Sequence, residues 1–212
     1  MQIKVNLKII IFIILFIITK QIKIYGMLMY FALLHELGHL IIGILLGFKP
    51  KALSIKPIGL SISFKTQTRD IEHKIKKGNM LEYKKIFIGL AGPLTNFILV
   101  IIYMCFNITF LSIPRDIAIY SNILIGIFNL IPIYPLDGGR ILKSILHINF
   151  GYEKAQQYII NISWWSIIII TILSSIIILC IKNIAILIIV IYLWGLNITY
   201  NQLHIQKISS KV

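Results

Sequence analysis

The sequence predicts an all-α membrane protein of about six transmembrane helices, with one small β-hairpin in its long polar loop. Three observations predict it. Of 212 residues, 58% are hydrophobic, and a mean hydropathy of +0.90 means more apolar surface than a soluble domain of this length can bury. The apolar residues gather in runs of membrane-crossing length. The basic residues gather between those runs: in a six-span arrangement, four of the 21 Lys and Arg (Lys20, Lys23, Arg115 and Lys182) fall on one side and the rest on the other. In that multi-pass arrangement the asymmetry is expected to place both termini in the cytoplasm. It also accounts for the net charge of +14 without nucleic acid as a partner. Cys105 and Cys180 both lie inside apolar runs, which excludes a disulfide framework and a thiolate metal site. With no internal repeat and no low-complexity linker, residues 1–212 read as a single membrane-embedded domain.

Taken in order, the run from Leu7 to Ile18 follows Lys4 and Lys8 as a secretory signal would. No small-x-small cleavage pattern follows it, so the reading is a retained first span or half-embedded helix. The second span, about Tyr25 to Phe48, is long enough to cross. Its Gly38, Gly43 and Gly47 either admit a neighbouring helix or are the ordinary glycines of membrane helices. Lys49 to Lys85 is the one long polar stretch. Strict alternation in Leu60-Ser61-Ile62-Ser63-Phe64-Lys65 after the turn residues Pro57-Ile58-Gly59 predicts a hairpin over Leu53 to Lys65. That hairpin either aligns an extended substrate by strand addition or only caps the helices. Asp70 to Lys85 is predicted to be a charged surface helix.

The third span, about Ile86 to Ile113, contains Gly92, Pro93 and Asn96. Pro93 is expected to disturb it, and Asn96 either bonds a neighbouring helix or faces a cavity. The fourth apolar run, Ile117 to Leu136, leads into Asn129-Leu130-Ile131-Pro132-Ile133-Tyr134-Pro135-Leu136-Asp137-Gly138-Gly139-Arg140, where two prolines and two glycines break the helix. Irregular backbone at membrane depth survives only where protein buries it or it lines a cavity, so this segment is a site candidate. A short amphipathic helix from Arg140 to Ile148 and a hinge at Asn149-Phe150-Gly151 precede the last two spans, roughly Tyr158 to Ile181 and Ile184 to Tyr200. Those carry no carboxylate and no histidine, and are expected to wall the core. His73, His147 and His204 lie outside the spans and read as solvated.

The second span carries His35-Glu36-Leu37-Gly38-His39. On a helix, histidines at i and i+4 share a face and can hold one zinc ion, with Glu36 beside them to take a proton from water. Three ionisable residues at membrane depth each cost about 2.5–3.5 kcal/mol, which demands a metal, a partner or a water-filled cavity. A catalytic zinc takes three protein ligands. Of the remaining acids, Asp70, Glu72 and Glu82 stand among lysines, Asp116 follows Arg115, and Glu153 precedes Lys154. Asp137 alone sits in irregular backbone next to an apolar span. Its alternative roles are to cap the helix that begins at Gly138 or to pair with Arg140.

The two motifs together, His35-Glu36-x-x-His39 and Asn129-x-x-Pro132-x-x-Pro135-Leu136-Asp137-Gly138, resemble the site-2 protease family of intramembrane zinc metalloproteases, most closely its stage IV sporulation protein FB subgroup. The resemblance covers a core of about residues 25–140, with further spans at about 158–200. It implies one Zn2+ per chain bound by His35, His39 and Asp137, with Glu36 as catalytic acid/base. It also implies that Asn129 helps to position substrate or the loop, that Asn129, Pro132 and Pro135 form the substrate-binding segment, and that Gly92 and Asn96 are structural or cavity-lining. A bacterial cell membrane is the implied location, and a sporulation sigma-factor precursor the implied kind of substrate. No CBS or PDZ domain is expected. The partners that follow are a membrane-associated protein substrate and the lipid bilayer, with room for a regulatory membrane protein or a homo-oligomer. The rival readings are a non-catalytic zinc-binding membrane scaffold or transporter, against which Glu36 argues, and a membrane metalloprotease that takes a downstream Glu as its third ligand.

Overall fold

In hydrocarbon an apolar run satisfies its backbone by coiling, and this chain does so. The computed structural model describes residues 2–5, 10, 13–14, 17–18, 20, 22–56, 59–65, 79–106, 114–181, 190–200 and 202, in two compact units, Met1–Asn129 and Leu130–Val212. The first holds β1 (Gln2–Val5), α1 (Ile22–Leu45), β2 (Lys49–Lys56), β3 (Gly59–Lys65) and α2 (Met80–Cys105), and α3 (Arg115–Leu130) ends at its boundary. The second holds α4 (Asp137–Phe150), α5 (Tyr152–Ile181) and α6, residues 190–200.

Among the described residues three helical segments are long and apolar enough to cross a membrane: Tyr25–Leu45, Met80–Cys105 and Tyr152–Ile177. The fourth apolar run forms α3, whose 16 residues fall short of the roughly 20 that a bilayer needs. The first and sixth expected spans lie partly outside the described residues. Several helix boundaries differ from the sequence reading, α4 for one running Asp137–Phe150 where Arg140 to Ile148 was expected. Met80 to Lys85 belongs to α2, whose first turn buries Glu82 against Lys85 Nζ at 2.8 Å. Further on, α5 begins at Tyr152, because only Gly151, at φ 81°, interrupts the helical backbone after α4.

In the first unit, Met27 and Phe31 of α1 pack with Tyr103 of α2 and Ala118 of α3. Arg115 donates to the carbonyls of Tyr103 and Met104, both at 2.7 Å, satisfying acceptors that the end of α2 leaves open. Glycine sets two close approaches: a Cβ at Gly38 would strike Thr95 and Ala91 of α2, and one at Gly43 would strike the Phe64 ring of β3. Gly38 and Gly43 therefore thin α1 for its neighbours. Pro93 does not end α2, which runs through it.

The predicted hairpin is present as β2 and β3, antiparallel with Leu53 opposite Ile62. The sheet has a third strand, since β1 pairs in parallel with β2. Lys4 had read as the basic start of the first span. In the second unit, Ala155, Ile159, Ser163 and Ile167 are fully buried at four-residue spacing along α5, one continuous face of a helix. Trp164 of α5 meets Trp194 of α6 edge to face at 5.2 Å.

Candidate metal centre

Helical spacing brings His35 and His39 together as expected. Both are buried, at 3% and 4% exposure, and their Nε2 atoms lie 3.1 Å apart. The other ring nitrogens settle what those atoms are. His35 Nδ1 lies 2.5 Å from Asn96 Oδ1, and His39 Nδ1 lies 2.6 Å from the Ile88 carbonyl. Both partners are pure acceptors, so each Nδ1 carries a proton, and in the neutral imidazole each Nε2 then presents a lone pair. Two lone pairs aimed at one place repel unless a cation lies between them, and imidazoles oriented through Nδ1 in this way are the usual arrangement of zinc-binding histidines. The donor set fits zinc.

Two features of α2 shape this place. Gly92 faces the imidazole edges, where a Cβ would collide with Nε2 of both histidines. Asn96, at 0% exposure, accepts from His35 and donates through Nδ2 to Asn122 Oδ1 at 2.9 Å. Asn122, also at 0%, donates in turn to the Ala118 carbonyl at 2.9 Å. Asn96 thus both bonds a neighbouring helix and faces the site, roles the sequence had left as alternatives. The sequence reading does not single out Asn122, although an amide inside the apolar run from Ile117 is a readable signal. Glu36, half-buried beside His35, accepts a hydrogen bond from the Ile62 backbone N–H of β3 at 3.0 Å.

Asp137 opens α4 and is buried at 6%. It does not cap that helix: Leu136 holds the N-cap position and no side chain caps it. Arg140 Nη1 stands 3.8 Å from Asp137 Oδ1, a loose pairing. Gly138 and Gly139 do not break a helix as expected. They form the first turn of α4, where a Cβ at Gly138 would enter the Leu130 and Ile131 carbonyls and one at Gly139 the backbone of Ile133 and Tyr134. The break belongs to the proline segment, residues 131–136, which contains a cis Tyr134–Pro135 bond and half-buried Pro132 and Pro135. Asn129 donates to the Ile125 carbonyl of its own helix at 3.0 Å. His73 and His204 lie outside the described residues.

Paired zinc-type histidines with an adjacent glutamate on a membrane-length helix, in a chain that also carries a buried carboxylate after a proline segment, form the pattern expected of membrane metalloproteases. Comparison with known proteins agrees. Residues 110–172 match the model of peptidase family M50. Over 134 residues the chain is 37% identical to a zinc metalloprotease of Methanocaldococcus jannaschii, covering 61% of this chain and 36% of that protein. It is 25% identical over 144 residues to the stage IV sporulation protein FB of Bacillus subtilis, covering 66% of this chain and 46% of that one. The chain thus spans less than half the length of these curated relatives. Among solved structures, the site-2 protease of Methanocaldococcus jannaschii superposes with a TM-score of 0.65 at 26% identity, covering 93% of this chain and 89% of that one. In sequence and in fold the chain is similar to site-2 proteases and related zinc metalloproteases, and its paired histidines fit zinc.

Proposed function

We propose that this chain is an intramembrane zinc metalloendopeptidase that hydrolyses peptide bonds of membrane-associated substrates in or near the bilayer. The observation that carries the reading is the convergence of the two histidine Nε2 atoms, with Glu36 next in sequence to one of them. Asp137 supplies the third ligand in this reading. Its support is chemical: it is the buried carboxylate of the second unit among the described residues, and it stands in the motif that the family resemblance assigns to the metal.

Zinc, when bound, supplies Lewis acidity, polarising a peptide carbonyl and lowering the pKa of water toward about 7. Glu36 takes the proton from the attacking water and returns it to the leaving amine. Asn96 and the Ile88 carbonyl hold the histidine rings in the tautomer that leaves Nε2 unprotonated. An extended substrate adding to β3 would meet the Ile62 N–H that now holds Glu36, which couples strand addition to release of the base. Asn129, Pro132 and Pro135 are assigned to the substrate side of the loop, with helix-breaking residues expected near the cut. The arrangement proposed is about six spans in a bacterial membrane with both termini cytoplasmic. Activation of a precursor such as a sporulation sigma factor is the role proposed by similarity to the Bacillus protein.

The test is cleavage of a reporter transmembrane segment carrying a Gly-Pro break, reconstituted with the full chain in liposomes. Wild type should cut within or beside the segment, and Glu36→Gln should fall by about 10²–10⁴-fold. Cleavage that Glu36→Gln leaves unchanged would overturn the reading.

A further inference from the structure

The last two spans were expected only to wall the core. The second unit assigns them a more specific task. The segment before Asp137 has little regular hydrogen bonding of its own: Ile133 N–H reaches Ile131 O at 2.7 Å and Leu136 N–H reaches Ile133 O at 2.8 Å. The Leu136 carbonyl accepts from Arg140 N–H of α4 at 3.0 Å, and Tyr134 N–H reaches out to Ser163 Oγ of α5 at 3.1 Å. Ser163 is at 0% exposure, so water does not compete for that bond. The Tyr134 ring lies against the Tyr200 ring of α6, centroids 4.0 Å apart and planes tilted by 31°. Tyr200 Oη in turn accepts from Lys143 Nζ of α4 at 3.0 Å and from Gln156 Nε2 of α5. Lys143 Nζ also stands 5.1 Å from the Tyr134 ring centroid, within cation–π range.

Tyr134 is therefore held twice, at its backbone by α5 and at its ring by α6. Motion there cannot stay local. The first turn of α4 is seated on the same segment, since Gly139 lies against the backbone of Ile133 and Tyr134 and Gly138 against the Leu130 and Ile131 carbonyls. A turn packed backbone to backbone has no flexible side chain to absorb a shift, so displacing Tyr134 displaces the residue that opens the turn, Asp137.

We infer that Ser163 and Tyr200 are positioning residues for Asp137, acting through Tyr134, and that α5 and α6 set the metal affinity of a carboxylate they do not carry. The inference rests on Asp137 being a zinc ligand, as proposed above. Groups that orient a metal ligand from outside the ligand set are typically worth about 10–100-fold in affinity.

The experiment uses the full chain purified in detergent, titrated with zinc under a competing chelator, and separately loaded with Co2+ to read its ligand-field absorption. Ser163→Ala and Tyr200→Phe should each weaken zinc binding about tenfold and move the cobalt bands. Ser163→Thr, which keeps the hydroxyl, should restore both. Size-exclusion profile and helical circular dichroism serve as the folding control; Tyr200→Phe removes the hydroxyl through which Lys143 and Gln156 fix the stacked ring, and it keeps the inference testable if the buried Ser163 site tolerates no change. Asp137→Asn is run alongside. If it leaves zinc affinity and cobalt bands untouched, the ligand assignment fails and this inference with it. If it alters both while folded Ser163→Ala and Tyr200→Phe match wild type, the ligand assignment stands and the positioning role of α5 and α6 is overturned.

Discussion

The histidine pair and Asp137 are placed by different physics. His35 and His39 sit on a regular helix, where i and i+4 spacing alone brings their rings together. Around them α2 contributes the fine control, through Gly92, Asn96 and the Ile88 carbonyl. Asp137 sits at the mouth of an irregular segment, and what fixes it is contact: two glycines seated on backbone, and Tyr134 bonded to Ser163 and stacked on Tyr200. Spacing positions the first region and packing positions the second, so the two should fail in different ways when altered.

The largest effect is expected at Gly92→Ala. The added methyl has no room beside either Nε2, so zinc affinity should drop by about 100-fold or more in protein that remains helical. Retention of zinc by that variant would mean that the imidazoles are less confined than described. Gly138→Ala should act as the opposite kind of lesion. Its Cβ meets main-chain carbonyls, so stability should fall by about 2–3 kcal/mol, seen as a lower melting temperature even for metal-free protein. A loss of zinc without loss of stability there would erase the distinction between the regions.

Smaller effects sharpen the first region. Asn96→Ala leaves a buried His35 N–H without its acceptor and should weaken zinc binding about tenfold. Asn122→Ala, one bond further out, should cost about two- to threefold, less than the roughly 10–100-fold typical of groups that contact a ligand directly. Chelator-buffered zinc titration measures both, and an Asn122 effect larger than that of Asn96 would contradict the relay.

What was legible in the sequence follows the same division. The motif on α1 could be read because periodicity turns sequence distance into spatial distance. The hairpin was visible through alternation. Elimination among seven acids singles out Asp137 as the candidate ligand, but it gives no reason for Gly138 and Gly139: glycine reads as a helix breaker until the neighbouring backbone is seen. β1 was hidden because its partner lies some fifty residues away, at Ala52 to Ile55, and parallel pairing leaves no local turn signature. Ser163 was hidden because a hydroxyl in an apolar helix can satisfy itself on its own backbone. Thr171 does so, on the Ile167 carbonyl.

The central claim is that the paired Nε2 atoms of His35 and His39 hold the metal that Glu36 works beside. It is tested most directly by zinc per chain in detergent-purified protein, with wild type, Glu36→Gln and His39→Ala prepared together. The prediction is about one zinc in wild type and in Glu36→Gln, and close to none in folded His39→Ala. Full zinc in His39→Ala, or none in folded wild type, would contradict it.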